Sequence, residues 1–287
     1  MADALHEMVQ DIITGNSGRW FDIVGDNIQT YAKQRDPRIE RQNRMIKGFA
    51  GTLVELVDVD PSALDLQAYL DKRSSLERRN LTVHTILTDI DFDHLLNVAA
   101  GQFLQALFSF VPVLSKAYCK DLDQFYETKI RKHQIEPTRK TNIIPLAMNS
   151  ADEMTVQGMN AAIQDFLRQM GLTDETLRDR LLFFSGDGKT FDQLQKVKKY
   201  MSPHETNLES LRFLVPMLEL WHTKWTNLCR TLCASWGKDH PKDPSTLGCL
   251  AAAIEMNAPS DLQKVPFYDG AHLLDLALDA HLINCWE

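Results

Sequence analysis

Two aspartates and one histidine follow apolar runs in this sequence. Asp26 closes the segment 20–26, Asp187 closes the segment 181–187, and His222 closes the apolar run 211–222. Short runs rich in aromatic and aliphatic residues, bounded by glycine or polar residues, predict β-strands. The carboxyl ends of parallel strands meet at one edge of a sheet, where α/β folds place their sites. We therefore expect the three side chains to line one cleft.

This set of residues suits metal-dependent chemistry. Mg²⁺ prefers oxygen ligands, and carboxylates from adjacent strand ends can converge on one ion. Bound metal ions can align an attacking water or hydroxyl with a departing oxygen. We expect Asp26 and Asp187 to bind Mg²⁺ or Mn²⁺, and His222 to contact a phosphate or orient a ligand. A third acid is expected later, on a helix. The candidates, among which the sequence does not choose, are Glu255, Asp275, Asp279 and Glu287.

Each of these residues also has a simpler interpretation. Asp187 stands before Gly188-Lys189-Thr190 and can cap the helix that follows. Asp26 can belong to a turn, and His222 can cap the next helix or lie as a hydrogen-bonded imidazole in the core. The sequence leaves both interpretations open.

Periodicity and breaking residues define the elements that must position the site. Four consecutive apolar residues at 181–184 predict a strand covered on both faces. Residues 133–150 resemble a loop, and Gly171 is expected to end the helix before the buried strand. The other strands are expected at 20–27 and, as one long strand or two short ones, at 45–59. The expected helical segments are 1–18, 61–132, 156–170, 190–200, 223–236, 245–255 and 271–286.

The order of these elements suggests a fold class. A strand with Asp, more strands, a helix, a strand with Asp, a helix and a strand with His follow one another, as in ribonuclease H-like nucleases and transposases. We expect an α/β protein with a ribonuclease H-like mixed sheet, a large helical insertion and C-terminal helices. Residues 1–60 would hold the N-terminal helix and first strands, 61–150 the insertion, and 151–287 the second half of the α/β core with the C-terminal helices. An insertion of this size is tolerated because loop-closure entropy grows slowly with length.

Composition limits the partners. The 287 residues carry a net charge of −8, which excludes a protein that grips nucleic acid with its whole surface. Nucleic-acid binding would need a local basic patch, at 35–47 or at 189–199, although a solvated helix face explains either equally well. Five cysteines without a CxxC motif indicate free thiols in a reducing compartment, so an intracellular, nuclear or cytoplasmic location is expected. No apolar run approaches about 18 residues and the N-terminus lacks signal-peptide features, so no membrane partner is expected.

Several short segments carry a resemblance to a known family, from about residue 20 to the end. Its most specific segments are Phe184-Ser185-Gly186-Asp187 and Leu220-Trp221-His222-Thr223-Lys224. The others are Phe21 to Ile28, Pro145-Leu146, Asp152-Glu153, Trp236-Gly237-Lys238, Asp243 to Leu247, Phe267-Tyr268 and Cys285-Trp286. Together they resemble a fungal family known as a domain of unknown function, plentiful in mushroom-forming fungi and often linked to mobile elements. Gly188 departs from the family, which more often has Gln after Gly-Asp.

Two functions follow as expectations. The first is a transposase-derived, ribonuclease H-like domain with metal-dependent phosphoryl-transfer chemistry on nucleic acid, or a remnant of it. The alternative is a non-catalytic protein- or nucleic-acid-binding module of a domesticated mobile element. An all-helical scaffold without a site is a weaker third interpretation. Members of the resembled family tend to be longer, so the chain can be part of a longer protein.

Overall fold

The computed structural model describes residues 2–14, 19–35, 42–57, 59–131, 138–237 and 243–285. The chain divides into two compact units. The first comprises Met1–Arg78 and Lys140–Thr223, and the second comprises Arg79–Arg139 and Lys224–Glu287. The contacts place residues 61–78 and 140–150 in the unit that holds the sheet, and residues 224–287 in the same unit as 79–139. The division into 1–60, 61–150 and 151–287 stays a prediction.

The first unit contains a five-stranded mixed sheet in the order β3-β2-β1-β4-β5. β2 pairs antiparallel with both β1 and β3, whereas β4 pairs parallel with both β1 and β5. The protein is therefore mixed α/β. The strands are β1 Trp20–Ala32, β2 Arg44–Leu56, β3 Ile143–Pro145, β4 Leu182–Gly186 and β5 Leu214–Leu218. The helices of this unit are α1 Ala2–Thr14, α2 Leu66–Ser74, α6 Val156–Gln169, α7 Gly188–Met201 and α8 Asn207–Ser210, with 3-10 turns at Pro61–Leu64 and Glu77–Asn80.

Three phenylalanine rings form the centre of this unit's core. Phe49 of β2, Phe166 of α6 and Phe184 of β4 are fully buried, with ring centroids 5.8 to 6.4 Å apart. They occupy the space over Gly25 and Gly51, which face each other across the β1–β2 pair. The absence of two side chains in the sheet thus makes room for three rings from its strands and from α6.

The prediction of a buried strand at 181–184 is confirmed. β4 lies between β1 and β5, and Leu182 and Phe184 have no exposed surface. The predicted end of α6 is also confirmed, because Gly171 has a positive φ of 67° directly after the C-cap residue Met170. In this left-handed region glycine has no Cβ to clash.

Three strand predictions are wrong in their details. β1 does not end at Asp26 but continues to Ala32, because it forms a long hairpin with β2. The third apolar run does not end as a strand at His222, since β5 stops at Leu218 and His222 lies in the first turn of the next helix. The segment 133–150 is not all loop, because β3 adds to the edge of β2.

The second unit is helical in its described residues. Its helices are α3 Val83–Thr88, α4 Phe92–Phe110, α5 Pro112–Phe125, α10 Leu247–Ala253 and α11 Phe267–Asn284, together with the π-helical turn Tyr126–Ile130 and, from Lys224 onward, α9 Leu220–Ser235. The predicted helical character of 61–132 is thus confirmed up to Arg131, where the description stops. One buried cluster contains Leu232 of α9, Leu273 of α11, and Val265, which precedes α11. Within the described parts of the chain, none of the helices is long and apolar enough to cross a membrane.

The space over Gly25 gives a direct test of the core. A Cβ at Gly25 would lie 2.6 Å from a ring atom of Phe184 and 2.7 Å from one of Phe49. Both rings are fully buried and cannot move aside without disturbing the core. We expect Gly25→Ala to lower the free energy of unfolding by about 1–3 kcal/mol, measured by urea denaturation with circular dichroism. Gly188→Ala is the control, because a Cβ there meets nothing within 4 Å. Equal stability of the two variants would contradict this packing.

Candidate functional site

Asp26 lies in β1, and Asp187 directly follows the neighbouring strand β4. The parallel pairing of β1 with β4 ends with Val24 opposite Ser185. Asp26 and Asp187 each lie two residues past this last pair, so both are near the end of the β1–β4 pairing. Alternate residues of a strand share a face, so Asp26 is on the same face of β1 as Asp22.

Both aspartates also have local structural roles. Asp187 is the N-cap residue of α7, and its Oδ1 accepts a hydrogen bond of 2.7 Å from the backbone N–H of Thr190. Asp26 is exposed, and its Oδ1 accepts a hydrogen bond of 2.8 Å from the backbone N–H of Asn27. The helix-capping interpretation of Asp187 is thus correct. An ionised carboxylate has two oxygens with about four acceptor sites, so capping leaves Asp187 able to bind a ligand.

Glu219 and His222 follow the next strand of the sheet. The backbone N–H of Glu219 donates to the carbonyl of Gly186 over 2.9 Å, a bond that belongs to the last pair of the β4–β5 ladder, Gly186 with Leu218. Glu219 thus directly follows β5, as Asp187 directly follows β4, and it occupies the strand-end position predicted for His222. His222 lies one helical turn further on, and its Nδ1 hydrogen-bonds to Oε2 of Glu219. This contact orients the imidazole, whose side chain is 34% exposed.

Asp22 is a half-buried carboxylate that contacts β4. Ser185 Oγ donates to its Oδ2 over 2.6 Å. Its Oδ1 is buried without a hydrogen-bond partner among the described residues. Burial raises the pKa of Asp22 from 3.8 to about 6, against the hydrogen bonds from Ser185 and from the backbone of Ile23, which lower it.

Glu153 is a buried carboxylate in the same unit. It is 4% exposed, and within the described part of the chain neither of its side-chain oxygens has a hydrogen-bond partner. The loop that carries it is tied to α7, because Gln193 Nε2 donates to the carbonyl of Met154 over 3.0 Å. A buried carboxylate needs a compensating partner, and a bound cation would supply one.

These carboxylates fit a hard divalent cation in their chemistry. The donors are oxygens, as Mg²⁺ requires, and Asp22 and Glu153 both present oxygens that lack a partner. As placed, however, the side chains do not converge: no group of three or more His, Cys, Asp or Glu within the described ranges is arranged to hold a metal ion.

The sequence pointed to part of this set and missed the rest. Asp22 shares a strand face with Asp26, four residues away, and the alternation of side chains along a strand predicts this from the sequence. Glu219 directly precedes a helix. Because the next residues, Leu220 and Trp221, are apolar, the sequence indicated a strand that continues past Glu219. Of the third-acid candidates, Glu255, Asp275 and Asp279 belong to the second unit, and Glu287 lies outside the described residues.

Comparison with known proteins places the chain in a family. Residues 76–287 match the family of unknown function DUF6589, and the chain belongs to that family. The matched region includes Asp187, Glu219 and His222, whereas Asp22 and Asp26 precede it. No curated protein and no solved structure matches the chain.

Asp22 predicts a pH-dependent contribution to stability. Its pKa is higher in the folded protein than in the unfolded chain, so the unfolded chain loses this proton first as pH rises from about 4 to 6. The free energy of unfolding should therefore fall across that window, by roughly 3 kcal/mol for this group when the window is complete. We expect Asp22→Asn to remove this decline, measured by urea denaturation between pH 3.5 and 7.5.

The matched control for Asp22 is Asp26→Asn, which changes an exposed carboxylate of the same strand. This variant should keep the decline of the wild-type protein. An unchanged pH profile in Asp22→Asn would show that burial of this carboxylate does not have the assigned effect.

Proposed function

We propose that the first unit is a transposase-derived, ribonuclease H-like domain with metal-dependent phosphoryl-transfer chemistry on nucleic acid, or a remnant of that chemistry. The observation that carries the proposal is the strand register. Continued two residues past its last pair, Val24 with Ser185, the β1–β4 register would set Asp26 beside Asp187. Asp187 directly follows β4 and Glu219 directly follows β5, and the carboxyl ends of parallel strands are where α/β sheets place their chemistry.

The order of the elements supports the same proposal. A strand with the first aspartate, two further strands, helix α6, a strand leading to Asp187, helix α7 and a strand before His222 follow one another in the first unit. This is the order on which the ribonuclease H-like expectation rested. The region 79–139 lies between β2 and β3 in sequence and belongs to the second unit together with 224–287. In the proposed fold, 79–139 is the insertion into the smaller sheet. A fungal mobile element remains the proposed origin.

The residues have distinct proposed roles. Asp26 and Asp187 would hold Mg²⁺ or Mn²⁺. Asp22 and Glu153 are further acidic groups of the same unit with oxygens that lack a hydrogen-bond partner among the described residues. When bound, the ion would supply alignment of the attacking and departing oxygens. His222 is held through Nδ1 by Glu219, so its Nε2 is the ring atom left to contact a phosphate oxygen, to which it donates when the imidazole is protonated.

One observation favours the alternative, a non-catalytic protein- or nucleic-acid-binding module. The Oδ1 atoms of Asp26 and Asp187 are both engaged by backbone N–H groups, and the described side chains do not form a three-residue metal cluster. A descendant that has lost its metal would retain this arrangement, because Asp187 would still stabilise α7 as its N-cap residue.

Metal titration and activity together test the proposal. We expect calorimetry to detect Mn²⁺ binding by the wild-type chain, and a nuclease or strand-transfer assay with a labelled oligonucleotide to detect turnover. Asp187→Asn should abolish both, with little loss of stability because Asn caps a helix about as well as Asp. Asp26→Asn should act likewise.

Glu7→Gln is the control for these two variants, since it removes an exposed carboxylate on α1 of the same unit. This variant should bind Mn²⁺ and turn over the labelled oligonucleotide as the wild type does. Metal binding without turnover would favour the non-catalytic module. Absence of Mn²⁺ binding in the wild type, or its persistence in Asp187→Asn, would refute the proposed metal site.

A further inference from the structure

A second concave site lies in the first unit, between α2, α7 and β5. It has a volume of about 670 Å³, within the range of small-molecule sites. Its lining contains no acidic side chain among the described residues. The cationic residues that line it are Arg73, Arg78, Lys196, Lys198, Lys199 and Arg212. This concentration of positive charge occurs in a chain whose net charge is −8.

Lys198 forms the buried part of the cleft. The residue is 8% exposed, and its Nζ donates to the backbone carbonyl of Leu214 at the start of the edge strand β5. The ammonium also lies 5.9 Å from the centre of the Tyr69 ring, a cation–π distance. Burial, and then the charge of Arg73, lower the pKa of Lys198 to about 7. A negative charge bound in the cleft would favour the protonated form of Lys198 and so oppose both causes of the lowered pKa.

Most of these charges lack an internal counterion. Among the described residues, Lys196 is the one member of the set with an ion pair, to Asp192 at 2.6 Å. Arg73, Lys198 and Lys199 occupy the last turns of their helices, where cations offset the helix dipole.

The helix dipole does not account for the other cations. Arg78 belongs to a 3-10 turn, and Arg212 precedes β5. Arg212 donates from Nη2 to the carbonyl of His204 over 3.1 Å. The positive charge of the cleft therefore exceeds what the ends of α2 and α7 require.

We propose that this cleft binds a short polyphosphate group of two or three linked phosphates. Arginine forks and lysine ammonium groups are the donors that recognise phosphate oxygens, and Ser202, Ser210 and Gln195 add polar side chains to the lining. The partly open, concave shape of the cleft admits a compact polyanion. The source can be a nucleoside triphosphate or an inorganic chain, because both present the same phosphates.

This site is separate from the proposed metal site. Lys198 contacts Leu214, the first residue of β5, whereas Glu219 follows its last residue. The buried lysine of the cleft thus lies at the start of β5, whereas Glu219 lies just past its end and Asp187 at the opposite end of α7 from Lys198. Binding to the cleft does not require a divalent cation at Asp26 and Asp187.

Calorimetric titration with inorganic tripolyphosphate in a buffer containing EDTA tests this proposal. We expect saturable binding of one tripolyphosphate per chain, with ATP competing and adenosine not competing. The double variant Arg73→Gln/Lys199→Gln should bind about tenfold more weakly or worse, because it removes two charged donors. Both side chains are exposed, so the variant should fold, as circular dichroism can verify.

The matched control is Lys33→Gln/Lys189→Gln, which removes the same charge from exposed lysines outside the cleft lining. It should bind within about twofold of the wild type, since screening limits the effect of distant charges. Asp187→Asn should also retain binding, which separates this test from that of the metal site. Equal loss in both double variants, or no saturable binding by the wild type, would overturn the proposal. Tighter binding of a single-stranded oligonucleotide that tripolyphosphate does not displace would instead assign the cleft to a nucleic-acid backbone.

Discussion

The packing of three phenylalanine rings over a glycine pair is the constraint on which the first unit depends. Gly25 and Gly51 pair across the hairpin, and the rings of Phe49, Phe166 and Phe184 fill the space that their side chains would need. One ring comes from β2, one from β4 and one from α6. The cluster therefore fixes the hairpin, the parallel strand beside it and the covering helix together. Because side chains alternate along a strand, a slip of one residue would bring a different side chain over each glycine.

The candidate site depends on the same register. Asp26 follows Gly25, and Asp187 follows Gly186, a glycine at which a Cβ would lie 3.1 Å from the carbonyl oxygen of Gly25. Both aspartates therefore directly follow glycines at which the two backbones come close, just past the aromatic cluster. Packing on one face of the sheet thus fixes the register that positions the acidic residues on the other. A slip that moved Asp26 to the core face would bury an unpaired charge, so the core and the site favour one register.

The sequence predicted the interior of this unit better than its margins. Four apolar residues at 181–184 identify a strand buried on both faces, and Gly171 identifies a helix end, because burial and a positive φ each restrict the residue type. The ends of the strands were predicted less accurately than their buried parts. β1 extends past Asp26 as a two-stranded ribbon with β2, where exposed Ile28 and Tyr31 resemble buried strand residues in sequence.

The end of β5 shows the same difficulty. Leu220 is 83% exposed, although it prolongs the apolar run in the sequence. Composition cannot distinguish an apolar residue at the surface from one in the core, so Glu219 escaped notice and His222 was placed on a strand. The division into two units was also beyond the sequence, since it depends on contacts between distant segments.

Helix α7 connects the two proposed sites through its electrostatics. Asp187 caps its N-terminus, and Lys198 and Lys199 lie in its last turn, so both ends carry the charge that stabilises a helix dipole. Helix stability alone explains an acid at one end and lysines at the other. It does not explain why Arg73, Arg78 and Arg212 approach the same lysines from other segments. In a chain with a net charge of −8, long-range attraction of a polyanion is weak, and recognition must come from local convergence of donors. The cleft has that convergence from three separate segments, which is the physical reason to regard it as a site rather than as a by-product of helix capping.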